Sequence, residues 1–208
     1  MNLLDNFINE CDVALKTLSF KKSGTGRSYP ANKSPSSLSK EEKNLSAQLM
    51  RVNLAGEVAA QALYRGQAMV CKDAEIKNHL VQAGEEETDH LIWCKKRLEE
   101  LNGKPSILNP VWYAGSFAIG AIFGSFGEKT SLGFVEETEK QVVKHLEKHL
   151  DKVSKNDTET IEILKTMRAD EDEHAQEAIE NGSESLSEPT KKVMSFTAKV
   201  MTSSSAYI

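Results

Sequence analysis

The chain has 208 residues, a formal net charge of −5 and 27% charged residues, enough for one domain with a sizeable core, with or without an appended segment. The acidic balance gives no general attraction to nucleic acid or anionic lipid. Three cysteines, Cys11, Cys71 and Cys94, form no C-x-x-C pair, which argues against a disulfide framework and for buried thiols in a reducing compartment.

The N-terminal stretch MNLLDNFINECD is acidic and lacks a basic region, so no signal peptide is expected and the chain reads as cytosolic. Leu4, Phe7, Ile8, Cys11, Leu15 and Leu18 give a helix within 1–20 one apolar face. KKSGTGRSYPANKSPSSL, residues 21–38, reads as a flexible linker. A capping box, Ser39 with Glu42, opens a second helix that runs to about Cys71. The third is expected from about Asp73 to Asn102, with Gly103 as its C′ glycine.

Residues 105–127, PSILNPVWYAGSFAIGAIFGSFG, carry no charge and approach the length of a membrane span. Their glycines and prolines favour a re-entrant or surface-lying apolar helix, with a buried core helix as the alternative. A fourth amphipathic helix covers roughly 128–153. The fifth is expected to start near Asn156, with Glu159 at N3, and to end at Gly182. Pro189 suits the first position of a last helix. Strand signals are scarce, so the fold class is all-α.

Two helices carry acids where the pattern demands apolar residues. Ile76, Leu80, Ala83, Glu87, Leu91, Cys94 and Leu98 follow steps of three and four, with His90 beside Glu87. Ile161, Leu164, Met167, Glu171, His174 and Ala178 repeat the arrangement. A carboxylate facing a core is costly unless paired or bound to metal, and Glu-x-x-His on each of two helices is half of a dimetal carboxylate site in a four-helix bundle. The other half needs one glutamate from each of two further helices. Glu57 stands among Leu54, Ala60 and Tyr64; Glu139 stands among Leu132, Val135, Val142 and Leu146, with Glu136 in reserve. Glu57 precedes Glu87 by 30 positions and Glu139 precedes Glu171 by 32, so two similar helix hairpins would bring all six side chains to one level. Four carboxylates would be neutralised by two divalent ions, and carboxylate with imidazole suits iron or manganese. Glu87 and Glu171 are the natural bridges, Glu57 with His90 completing one ion and Glu139 with His174 the other. Asp170 is the candidate outer partner of a ligand histidine.

RVNLAGEVAAQALYRGQ, EEETDHL, LNPVWYAGSFAIGA and VEETEKQVVKHL together resemble the demethoxyubiquinone hydroxylases of ubiquinone biosynthesis, over residues 51 to about 182. The resemblance implies a ferritin-like four-helix bundle over 39–182, including the apolar segment 105–127. The residue pattern adds an N-terminal helix (1–20), the linker (21–38) and a C-terminal interfacial or packing helix (183–208). The resemblance also implies an O2-dependent di-iron monooxygenase that hydroxylates a prenylated demethoxyubiquinol, with NADH as electron source and Glu57, Glu87, His90, Glu139, Glu171 and His174 as iron ligands. Tyr64 matches a tyrosine near the site, and His145 a histidine of the substrate and reductant region. Where eukaryotic members carry a tyrosine after that histidine, this chain has Leu146.

The expected setting is the cytoplasmic side of the cell membrane, peripherally bound, because a polyprenyl quinone lives in the bilayer. The apolar segment would be the substrate's entrance. PTKKVMSFTAKVMTSSSAYI, 189–208, with three lysines and no acid, resembles a weak interfacial helix. Nucleic acid is not an expected partner; contacts with other ubiquinone-biosynthesis proteins and a homo-oligomer stay open. The rival reading is a ferritin-like iron-binding or oxidase protein without an organic substrate.

Overall fold

A computed structural model describes residues 3–31 and 37–208 and contains seven α-helices, with no strand among the described residues. The side chains of Leu4 and Phe7, and positions 32–36 of the expected linker, lie outside the described residues. The helices are α1 (Leu3–Leu18), α2 (Lys40–Val70), α3 (Ala74–Glu100), α4 (Asn109–Gly124), α5 (Glu128–Lys152), α6 (Thr158–Glu180) and α7 (Glu188–Ser205).

Side-chain caps set most of these boundaries. Ser39 and Glu42 form the expected reciprocal capping box at the start of α2, and Asp73 caps α3 through the amides of Glu75 and Ile76. The end of α3 differs from the expectation by one residue. Asn102, not Gly103, takes the left-handed conformation at φ 59°. The amide of Asn102 bonds the Glu99 carbonyl and that of Gly103 the Leu98 carbonyl, so Gly103 is C″ of a Schellman motif. The start of α6 also differs. Its N-cap is Asp157, which accepts from the Thr160 amide, so Glu159 falls at N2. Glu159 is freed from capping and pairs instead with Arg97 of α3.

α2 and α3 form one hairpin and α5 and α6 a second, the four helices making the bundle. Met50, Leu54, Leu91, Leu98, Leu146, Leu164 and Met167 fill its core and are almost wholly inaccessible. Arg97, itself buried, ties the hairpins together by reaching Asp157 at 2.7 Å and the Thr160 hydroxyl at 3.0 Å.

The apolar segment forms α4, which lies along α2 as the crossover between the hairpins. A Cβ on Gly120 would sit 2.2 Å from the Leu63 carbonyl oxygen, and one on Gly66 equally close to that of Phe117. Gly120 and Gly124, two of the glycines that weaken a membrane-span reading, therefore allow two helix backbones to touch. The other side of α4 is open, with Ile107, Val111, Ile122 and Phe126 exposed. No helix among the described residues is long and apolar enough to cross a membrane. α7 packs on α2 and α5 and leaves Val193, Phe196 and Val200 exposed. Of the three thiols expected to be buried, only Cys94 is; Cys71 is half-buried, and Cys11 is exposed along with Ile8 and Leu15 of the apolar face read for α1.

The segment expected to be a flexible linker is laid down along α3 as far as it is described. Thr25 bonds Asp89 through its amide (3.1 Å) and its hydroxyl, the Tyr29 hydroxyl donates to Glu100 at 3.1 Å, and Lys96 Nζ stands 3.6 Å from the Tyr29 ring centroid. Polar side chains that suggest disorder in the sequence here find partners on a neighbouring helix.

Candidate metal centre

Midway along the bundle, α2, α3, α5 and α6 each turn acid toward one point. Glu57, Glu87, Glu139, Glu171, His90 and His174 are all at most 4% exposed. Glu57, Glu87, His90 and Glu171 offer ligand atoms within 4.8 Å of one another. His174 completes the other side, with Nδ1 3.3 Å from Glu87 Oε1 and 3.4 Å from Glu171 Oε2. His90 Nδ1 lies 3.0 Å from Glu87 Oε2, 3.2 Å from Glu171 Oε1 and 3.9 Å from Glu57 Oε2. Glu87 and Glu171 thus each direct one oxygen to one histidine and the second oxygen to the other, the posture of bridging carboxylates.

Several of these approaches are not hydrogen bonds. Glu87 Oε1, Glu171 Oε2 and His174 Nδ1 are buried without a hydrogen-bond partner, an unusual cluster for a folded core. Burial, followed by the charges of Glu87 and Glu171, pushes the Glu57 carboxyl well above the usual carboxylate range. Burial and the same two charges push Glu139 up as well. Burial would raise Glu87 too, but the nearby His174 and His90 imidazoles outweigh it and hold it low. Burial would lower His90, yet its bonds to Asp170, Glu171 and Glu87 raise it well above its ordinary value. Four buried carboxylates, two of them with an unsatisfied oxygen, and two imidazoles are a donor set that hard-to-borderline divalent cations satisfy.

Each histidine is held from behind. His90 Nε2 is 2.8 Å from Asp170 Oδ2, and His174 Nε2 is 2.9 Å from Glu86 Oε2. With Nε2 turned outward to its acid, Nδ1 is the ring nitrogen that faces the centre, where loss of its proton would free a lone pair for a metal. Asp170 was expected in such a role; Glu86 was missed. The repeat contains its signal, because Glu86 precedes Glu87 as Asp170 precedes Glu171. Each outer acid serves the histidine of the opposite hairpin, which spacing within one helix does not reveal.

The Tyr64 hydroxyl donates to Glu139 Oε1 at 2.7 Å, which sets this tyrosine beside the centre. The reserve glutamate, Glu136, points away, bonded by Lys140 and Ser183. His145 is not brought into the cluster. Its Nε2 is 3.2 Å from Asn53 Oδ1, one helical turn before Glu57.

The family model described as ubiquinone biosynthesis protein COQ7 matches residues 44–205, which include all six clustered side chains. Relatives named 3-demethoxyubiquinol 3-hydroxylase share almost the full length. The one from Legionella pneumophila (strain Lens) is 49% identical over 209 residues, covering 100% of this chain and 98% of its own. That of Francisella philomiragia is 48% identical over 202 residues, covering 97% and 96%. That of Nitrosococcus oceani is 46% identical over 209 residues, covering 100% and 98%. With the bundle, the doubled Glu-x-x-His arrangement and this agreement along the chain in hand, the protein belongs to the COQ7 family of ubiquinone biosynthesis proteins.

Proposed function

We propose that this chain is a 3-demethoxyubiquinol hydroxylase, an oxidoreductase of ubiquinone biosynthesis that places a hydroxyl on the ring of a prenylated quinol. The observation that carries the reading is the buried set of four carboxylates and two imidazoles, in a chain that matches relatives of that name over nearly its whole length.

Two iron ions would be held by Glu57, Glu87, His90, Glu139, Glu171 and His174, and would supply the redox chemistry with dioxygen that inserting oxygen at a ring C–H requires. The protein's part follows from its side chains. Glu87 and Glu171 set the spacing of the centre, because each has an oxygen for both halves. Asp170 and Glu86 accept the outer imidazole protons and keep each ring in one orientation. The Tyr64 hydroxyl holds Glu139 and is a proton donor at the edge of the centre. Burial of the whole cluster excludes bulk water.

NADH is the reductant in this reading, and His145 belongs to the side from which quinone and reductant approach. The exposed apolar side chains of α4 and α7 would rest on the cytoplasmic surface of the membrane, where the prenyl tail of the substrate is dissolved.

The test supplies iron-loaded protein with NADH, labelled dioxygen and a short-chain demethoxyubiquinone, and reads the mass of the quinone product. One labelled oxygen on the ring, absent with Glu87→Ala, is the expected result. Oxygen consumed without label in the quinone would transfer the protein to the iron-oxidase reading.

A further inference from the structure

The two halves of the centre are supported differently. Behind His174, Glu86 is held by Gln82 of its own helix at 3.1 Å. Behind His90, Asp170 is held by Arg27, which comes from outside the bundle. Arg27 Nη1 is 2.7 Å from Asp170 Oδ2 and Nη2 donates to Oδ1 at 3.0 Å, so the planar fork engages both carboxylate oxygens. The same guanidinium lies 4.9 Å from the Trp93 ring centroid, and the Trp93 ring packs on His90 at 5.3 Å between centroids. One side chain therefore touches both the hydrogen-bond partner of His90 and the ring against which His90 rests.

The strand of chain that carries Arg27 is fixed on either side of it. Gly24 lies so close to Asp89 that a Cβ would sit 2.0 Å from Asp89 Oδ1. Thr25 bonds both oxygens of Asp89, Tyr29 is tied to Glu100, and Ala31 is buried. This strap precedes residues 44–205, the part matched by the family model.

We infer that Arg27 is a positioning residue for the metal centre, acting through Asp170 and Trp93 to fix the His90 ring, so that the strap 21–31 governs one of two metal positions. The inference rests on the dimetal reading. Attraction alone is a poor explanation, because the Arg27 side chain is 38% exposed and exposed ion pairs contribute little. Geometry is the stronger one: a rotating Asp170 would let the imidazole turn, and the two-pronged fork prevents it. Lysine can supply the charge but not the fork.

The test is cobalt(II) titration of metal-free protein, followed by its d–d absorption, in two single-site backgrounds. In His174→Ala, where the remaining ion relies on His90, adding Arg27→Ala should weaken cobalt binding about 10- to 100-fold, the usual effect of losing an outer-shell partner. Arg27→Lys should recover only part of it. In His90→Ala, the residue through which Arg27 positions the centre is gone and only its charge on Glu86 is left to lose, so Arg27→Ala should have a far smaller effect. Equal losses in both backgrounds, or none in the first, would overturn the inference. Should a background bind no cobalt, zinc-loaded protein with all six ligands decides by proton NMR. Arg27→Ala should speed solvent exchange of the His90 Nε2 proton and leave that of His174 unchanged; equal behaviour of the two would refute it. Wild-type protein that takes up neither metal would remove the dimetal reading, and this inference with it.

Discussion

His145 and His149 stand one turn apart on α5 with ring centroids separated by 4.0 Å. Burial, then Lys148 and Lys152, lowers His145 to about 4; burial, then His145 and Lys152, lowers His149 to about 3. An unfolded histidine titrates near ~6.5, so between those values the unfolded chain binds more protons. Stability contributed by the neutral rings is therefore complete above that pH and lost as pH falls toward 4 and below. His149 is the better test, being 5% exposed with an unbonded Nδ1. Between roughly pH 7.5 and 5, urea unfolding should show a loss smaller by ~1–2 kcal/mol in His149→Gln than in wild type. An identical loss in both would acquit the histidine. Individual charged side chains were unequally legible at this scale. Glu87 and Glu171 betray themselves by interrupting apolar stripes, whereas Glu86 and Arg27 sit in stretches that look solvated until the opposite helix, or the bundle itself, supplies a partner.

At the scale of elements, α4 shows how one residue type can carry opposite meanings five positions apart. Gly115 is exposed and nothing lies within 4 Å of where its Cβ would stand. Gly115→Ala should stabilise by about 0.5–1 kcal/mol through helix propensity alone. Gly120→Ala would drive a methyl group into the Leu63 backbone, 2.2 Å from the oxygen and 3.1 Å from Cα, with no flexible side chain to yield. It should destabilise by about 1–3 kcal/mol, measured as a shift of the denaturant midpoint; two changes of the same sign would refute the close-contact account of α4. Helix boundaries were readable at Ser39, Asp73 and Gly182. They slipped by a residue at the end of α3, where Asn102 takes the left-handed position, and at the start of α6, where Asp157 is the cap and Glu159 pairs with Arg97.

In the whole molecule, two similar hairpins meet at the clustered acids, while the helices outside the bundle differ in role. α4 crosses between the hairpins and touches α1, and the Trp112 indole of α4 donates to Ser205 of α7 at 3.0 Å. Ile122 and Phe126 at its end are 53% and 65% exposed. In the proposed membrane reading these side chains enter the lipid surface, and burying each contributes ~1.5–3 kcal/mol. Co-sedimentation of Ile122→Asp/Phe126→Asp protein with vesicles of phosphatidylethanolamine and phosphatidylglycerol should fall at least about tenfold. Both positions are open to solvent, so folding should be unaffected, and undiminished binding would refute α4 as the contact.

The sequence by itself determined the helical class, the order of the bundle helices and the six clustered side chains. Each of these is written locally, as a period of 3.6 residues, a cap, or an acid breaking an apolar stripe at a spacing that recurs. Tertiary structure alone decided which outer acid serves which histidine, that Gly120 and Gly124 of α4 bring two backbones together, and that residues 21–31 are a strap. Those outcomes depend on pairings between positions as far apart as Arg27 and Asp170. Such pairings leave no periodic trace in the chain, because the energy of a cross-hairpin contact exists only once the hairpins have met.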